Sequence, residues 1–125
     1  MNTSRVVAVA GVLTIAIAGC GGSSNKQLSY SDYISKANTL CRNGQAEFAK
    51  VKSPSEAATL LDKYVKKFKD LKPPDELKGP HDRFVSVSEQ QVDLLKKNDT
   101  AGYNKLNSES NKIAAQIGAK DCISQ

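Results

Sequence analysis

Catalysis needs a nucleophile beside a base, a pair of titratable groups, or a set of metal ligands. In this chain of 125 residues the one histidine is His81, and the three cysteines are Cys20, Cys41 and Cys122. His81 follows Pro80 at an expected helix start, where a histidine is ordinarily a solvated side chain. No HExxH, CxxCH, GxSxG, P-loop or EF-hand spacing occurs. One His and three Cys are too few for most multi-ligand metal sites. Haem ligation would want a His or Met pair, and the single Met is Met1. Asp75, Glu76 and Asp82 fall near an expected bend, where acids usually cap and solvate turns. The expectation is a protein that is not an enzyme and that carries no metal and no cofactor.

Two other groups of residues stand out. Lys63, Lys66, Lys67, Lys69 and Lys72 crowd one short segment of a chain whose formal net charge is +5. The ordinary reading is a solvated helix face, with Asp62 pairing Lys66 across one turn. The sharper reading is attraction to anionic lipid headgroups or anionic wall polymers, limited by screening to about 8 to 10 Å. Separately, Gly44, Ser88, Gln91 and Ser110 interrupt otherwise apolar helix faces. They are either satisfied core polar groups or the lining of a small amphiphile-binding groove between the third and fourth helices.

The elements that position these residues are helices. Ser29-Tyr30-Ser31-Asp32 reads as a capping box. Apolar or small residues then recur at three- and four-residue steps from Tyr30 to Val51, predicting a helix over about 30–52. Ser53-Pro54-Ser55-Glu56 starts a second helix with its cap, its N1 proline and its acid in place. Lys72-Pro73-Pro74 ends it. Asp75 to Pro80 reads as a bend, with a third helix over about 80–97 and a weak stripe of Phe84, Val87, Gln91, Leu94 and Leu95. Asn98-Asp99-Thr100 turns into a fourth helix over about 100–118, stopped by Gly118. Nothing after residue 20 alternates with period two. Four amphipathic helices with short connections predict an all-α, up-down four-helix bundle over 30–125; a three-helix bundle with a broken third helix is the alternative.

The amino terminus reads differently. A basic start, MNTSR, precedes fourteen uncharged residues from Val6 to Gly19. A helix of that length reaches about 21 Å, short of a hydrocarbon core of about 30 Å, and fits a signal-peptide h-region. The run ends in Ile17-Ala18-Gly19-Cys20 and is followed by Gly21-Gly22-Ser23-Ser24. This ending resembles the lipobox of bacterial lipoprotein signal peptides. The resemblance implies a signal peptide over 1–19, a diacylglyceryl group on the Cys20 sulfur, and cleavage before Cys20 by signal peptidase II. The alternatives are a plain secretory signal or an uncleaved anchor. Residues 20–29 then form a lipidated, flexible tether, whose nine residues after Cys20 have a reach of about 15 to 18 Å. The implied address is the outer face of the cell membrane, with the membrane itself as one partner and no nucleic acid within reach.

With Cys20 assigned to lipid, Cys41 and Cys122 remain, and an exported compartment permits one disulfide between them. Cys41 lies on the expected buried face of the first helix and Cys122 just past the fourth, and those two helices are neighbours in an up-down bundle. A redox-active pair would want CxxC spacing or a flanking base, and neither is present. The segments Ala37-Asn38-Thr39-Leu40-Cys41, Leu71-Lys72-Pro73-Pro74-Asp75-Glu76-Leu77 and Gly118-Ala119-Lys120-Asp121-Cys122 are together similar to small helical lipoproteins of actinobacteria-type envelopes. That resemblance implies a fold and a location and no particular activity. The functional expectation is a membrane-anchored binding or scaffold module that meets an envelope protein, anionic lipid or wall polymer; the alternative is a carrier of a lipid or small hydrophobic ligand.

Overall fold

The computed structural model describes residues 26–124. The expected signal peptide, Cys20 and the tether up to residue 25 lie outside them. Among the described residues the chain forms four α-helices, α1 (Tyr30–Phe48), α2 (Pro54–Lys69), α3 (Asp75–Lys96) and α4 (Thr100–Ile117), then a 3-10 turn (Lys120–Cys122). They make an all-α, up-down four-helix bundle in which α1 packs on α2, α2 on α3 and α3 on α4.

Local chemistry explains the helix starts. The Ser29 hydroxyl accepts the Asp32 N–H at 3.2 Å, and the Ser53 hydroxyl accepts the Glu56 N–H at 3.2 Å. Each satisfies a donor that the first turn leaves open. The Glu56 carboxylate also accepts the Lys52 N–H at 2.9 Å. That bond commits Lys52 to the cap of α2, and α1 ends at Phe48 rather than near residue 52. Asp99 caps α4 by accepting the Gly102 N–H at 2.8 Å. Gly118 closes α4 in the left-handed region at φ 86°, which a side chain would strain.

A second boundary, the start of α3, also differs from expectation by more than a turn. The helix expected from residue 80 begins at Asp75, and Pro80 lies inside it. Asp75 and Glu76 sit in the first turn, where carboxylates meet the positive end of the helix dipole. Pro80 removes only its own N–H from the ladder, and Gly79 before it has no Cβ to crowd the proline ring. The added turn places Leu77 in the core, one turn before His81 and two before Phe84 and Val85. Burial of Leu77 and His81 outweighs the local preference of Gly-Pro for a bend.

The core is in two parts. The larger holds Tyr33 and Ala37 of α1, Val65 and Phe68 of α2, Leu77, Phe84 and Val85 of α3, and Ile113, Ala114 and Ile117 of α4. Most of it lies toward the end of the bundle where α1 and α3 begin, and Val87 and Val92 carry it along α3. The smaller gathers Ala57, Ala58 and Leu95, with Phe48, Val51, Leu61 and Tyr103 packed on it, at the opposite end. Leu61 packs on both clusters and joins them. Pro80→Ala restores an N–H to the α3 ladder and is expected to raise unfolding stability by about 2 kcal/mol, the interior-proline cost less the unfolded-chain entropy that proline saves. Urea unfolding followed by circular dichroism measures it.

Candidate functional site

A cavity of about 380 Å³ is lined by residues of both core clusters. Its α3 wall is Phe84, Ser88 and Gln91; its α2 wall is Leu60, Leu61, Tyr64, Val65 and Phe68. From α1 come Leu40, Cys41, Gly44, Gln45 and Phe48, and from α4 come Tyr103, Asn107 and Ser110. Cys122 and Ser124 complete it from the carboxyl-terminal segment. The α3 residues are buried while Phe48, Tyr103, Asn107 and Ser124 are half-buried and Gln45 is exposed. The floor is therefore α3, and the mouth lies along the seam between α1 and α4.

That seam stays apart because something else occupies it. α1 and α4 scarcely approach one another; the 3-10 turn packs on both. Cys41 and Cys122 form a disulfide with Cα atoms 4.9 Å apart. Asn38 accepts the Asp121 N–H at 3.0 Å, Gln45 donates to the Asp121 carbonyl at 2.8 Å, and Arg42 pairs with the Asp121 carboxylate. On the other side the Asn111 side chain donates to the Ser124 carbonyl and accepts the Ser124 N–H, both at 3.0 Å. The Ser124 hydroxyl donates to Asn107 at 3.0 Å. Residues 119–124 thus form a strap laid along the upper seam. The expected disulfide is present, reached through the strap and not by direct contact of the first and last helices.

The residues that interrupted the apolar stripes meet here. Gly44, Ser88, Gln91 and Ser110 all line the cavity. Gly44 permits the Tyr64 ring to cross α1 closely: a Cβ on Gly44 would lie 3.4 Å from the ring. Gln91 is 4% exposed, Ser88 5% and Ser110 6%. The Thr39 and Thr59 hydroxyls donate to the carbonyls four residues earlier. Among the described residues Ser88, Gln91 and Ser110 make no such side-chain bond, and no sealed side-chain polar atom lacks a partner. Their polar heads therefore open onto the cavity. The cavity is not confined to the expected groove between the third and fourth helices, since α1 and α2 furnish most of its apolar wall.

Electrostatics keep the interior neutral. Among the described residues, no carboxylate, imidazole, amine or guanidinium lines it. Burial raises the Tyr103 hydroxyl above its usual value, so it stays protonated. The Tyr64 hydroxyl donates to Glu47 at 2.6 Å, and the bond holds Tyr64 up and Glu47 down from their ordinary values. Lys63 meets the other Glu47 oxygen at 2.9 Å, its ammonium 5.3 Å from the Tyr64 ring centre.

The expected basic face is mostly paired. Lys63 is bound to Glu47, Lys66 to Asp62 at 2.6 Å and Lys69 to Glu89 at 2.9 Å. The Lys67 ammonium lies 5.0 Å from the Tyr64 ring centre. Lys72 makes no ion pair among the described residues, and its carbonyl accepts the Leu28 N–H. Such exposed pairs contribute little stability, but they leave less free positive charge than the sequence suggests. No group of three His, Cys, Asp or Glu gathers at a metal-ligand distance among the described residues. No described helix is long and apolar enough to cross a membrane.

His81 overturns its expected exposure. It is 4% exposed, stacked on Phe68 with ring centres 5.4 Å apart, and its Nδ1 lies 2.9 Å from the Tyr33 hydroxyl. The unexpected first turn of α3 carries it into the larger core. A histidine one turn from Leu77 and one turn from Val85 is the signal that would have found it, had Pro80 not been read as a boundary.

The chain matches no known family model, no curated protein and no solved structure. The cavity's meaning rests on its own geometry.

Burial lowers the His81 pKa from 6.5 and favours the neutral ring, and the same burial drives Tyr33 far upward, so that its hydroxyl stays protonated. An unfolded chain takes up a proton as pH falls through 6.5 while the folded chain resists it. Stability is therefore complete above about pH 7 and declines below 6.5, by no more than about 1.4 kcal/mol per pH unit for one proton. The carboxylates held below their ordinary values, Glu47, Asp62 and Asp82, lose their contributions only further down. Urea unfolding at steps from pH 7.5 to 5.5 is expected to show this slope, and His81→Phe to flatten it.

Proposed function

We propose that this chain is a lipid-anchored, extracytoplasmic binding protein that holds a small amphiphile in the cavity lined by its two core clusters. The cavity carries the proposal. It lies within the range of small-molecule sites, about 300 to 1,000 Å³, and has their composition of apolar walls with a few convergent polar groups. A dry engineered cavity of about 150 Å³ binds benzene, and the space here is more than twice as large at about 380 Å³. A packed interior would have favoured a scaffold acting by its surface. The paired lysines also weaken a purely electrostatic surface role.

The address rests on the lipobox-like ending at Cys20. Two acyl chains on one residue would anchor the bundle stably, where one chain binds marginally. Cells treated with a signal peptidase II inhibitor are expected to accumulate a larger, unprocessed form. An unchanged size and membrane fraction would remove the anchor from the proposal.

The binding role is tested by placing the photoreactive residue benzoylphenylalanine at Ala49, an exposed position on the cavity rim. Irradiation of intact cells is expected to add a small molecule to the full chain, visible by intact mass spectrometry. The same residue at Glu89, exposed on α3 away from the cavity, is expected to show no such adduct. The adduct should disappear in Ser88→Leu, which fills the cavity from its floor. Crosslinks to whole proteins alone would favour the scaffold reading, and an adduct that survives Ser88→Leu would place the small molecule elsewhere.

A further inference from the structure

The lining of the cavity restricts its occupant more than its size does. Resting on the amphiphile reading above, we infer that the bound molecule presents an uncharged polar group to α3: an ester or hydroxyl on a single acyl chain, as in a monoacylglycerol, and not a free carboxylate, phosphate or amine.

Two observations carry this. First, no ionised side chain among the described residues lines the cavity. Beside Tyr64, Glu47 is taken up by the Tyr64 hydroxyl and by Lys63, and the Lys67 ammonium is engaged with the Tyr64 ring at 5.0 Å from its centre. A charged group taken inside would lose its water and find no countercharge, and that desolvation is the dominant cost of burying an ion. Second, the floor is not inert. Ser88, Gln91 and Ser110 are each more than nine-tenths buried, face the cavity, and make no side-chain hydrogen bond within the described residues.

An amide and two hydroxyls both donate and accept. They suit a neutral group that also does both, or an ester that accepts twice. A pure hydrocarbon would leave all three without partners, which disfavours it as the occupant. Phe48, Leu60 and Leu61 supply the apolar wall along which a single chain can lie.

The test uses the full chain in phosphatidylcholine vesicles and a diazirine-bearing monodecanoylglycerol. Labelling is read by mass spectrometry of the α3 and α4 peptides. Unlabelled monodecanoylglycerol is expected to block it. Decanoate at pH 8 and decane are each expected to be weaker competitors by about tenfold or more. Gln91→Leu should cost monodecanoylglycerol about tenfold in competition while leaving decane unchanged or improved. The competition series on the unaltered chain stands whether or not that variant folds. Decanoate competing as well as the glycerol ester would overturn the inference and leave the amphiphile reading intact. Labelling that no competitor blocks would mean that the probe sits outside the cavity, and both would fall. A Gln91→Leu variant that folds and competes normally would remove Gln91 from recognition.

Discussion

The cavity exists because the seam between α1 and α4 is held open by the chain's own last residues. In an up-down bundle the first and last helices would otherwise close on each other and bury their facing stripes. Here residues 119–124 are fixed between them by the Cys41–Cys122 disulfide, by Asn38, Arg42 and Gln45 on one side, and by Asn107 and Asn111 on the other. The strap reaches only part of the way along the seam. Beyond it, Phe48 of α1 and Tyr103 of α4 stand at the cavity rim and pack on the smaller cluster.

That constraint also accounts for the divided core. A bundle of this size buries a limited apolar surface, and small domains are correspondingly marginal. The larger cluster, with the Tyr33, Phe68 and His81 rings in mutual contact and Phe84 against Phe68, supplies most of the packing at one end. The smaller cluster is built largely on alanines and borrows Phe48 and Tyr103 from the cavity rim. A cross-link spanning 81 positions compensates by restricting the unfolded chain, by about 4 to 5 kcal/mol in the chain-entropy account. The site and the fold thus compete for the same interior, and the covalent link relieves that competition.

Much of the fold could be read from residues near one another in sequence. The capping serines, Ser29 and Ser53, needed only local hydrogen bonds, and α1 and α2 begin where those caps predict. Gly118 ended α4 for a reason equally local, its left-handed backbone. Pro80 misled because a local signal met a distant one: the apolar partners that draw Leu77 and His81 inward lie on other helices. The same limit applied to the lysines of α2. Their charge was evident, but Glu47 and Glu89, which neutralise Lys63 and Lys69, come from α1 and α3.

The amino-acid sequence by itself determined the helical class, most helix ends, the pairing left to Cys41 and Cys122 once Cys20 is set aside, and the existence of small or polar breaks at Gly44, Ser88, Gln91 and Ser110. These follow from periodicity, capping and counting, which act over a few residues or over the whole composition. Only the tertiary structure decided that those breaks, drawn from three helices, face one space, that no ionised group among the described residues joins them there, and that the carboxyl-terminal strap keeps the space open. Each of those facts depends on the rotation of one helix relative to the next, which is fixed by packing between side chains far apart in the chain.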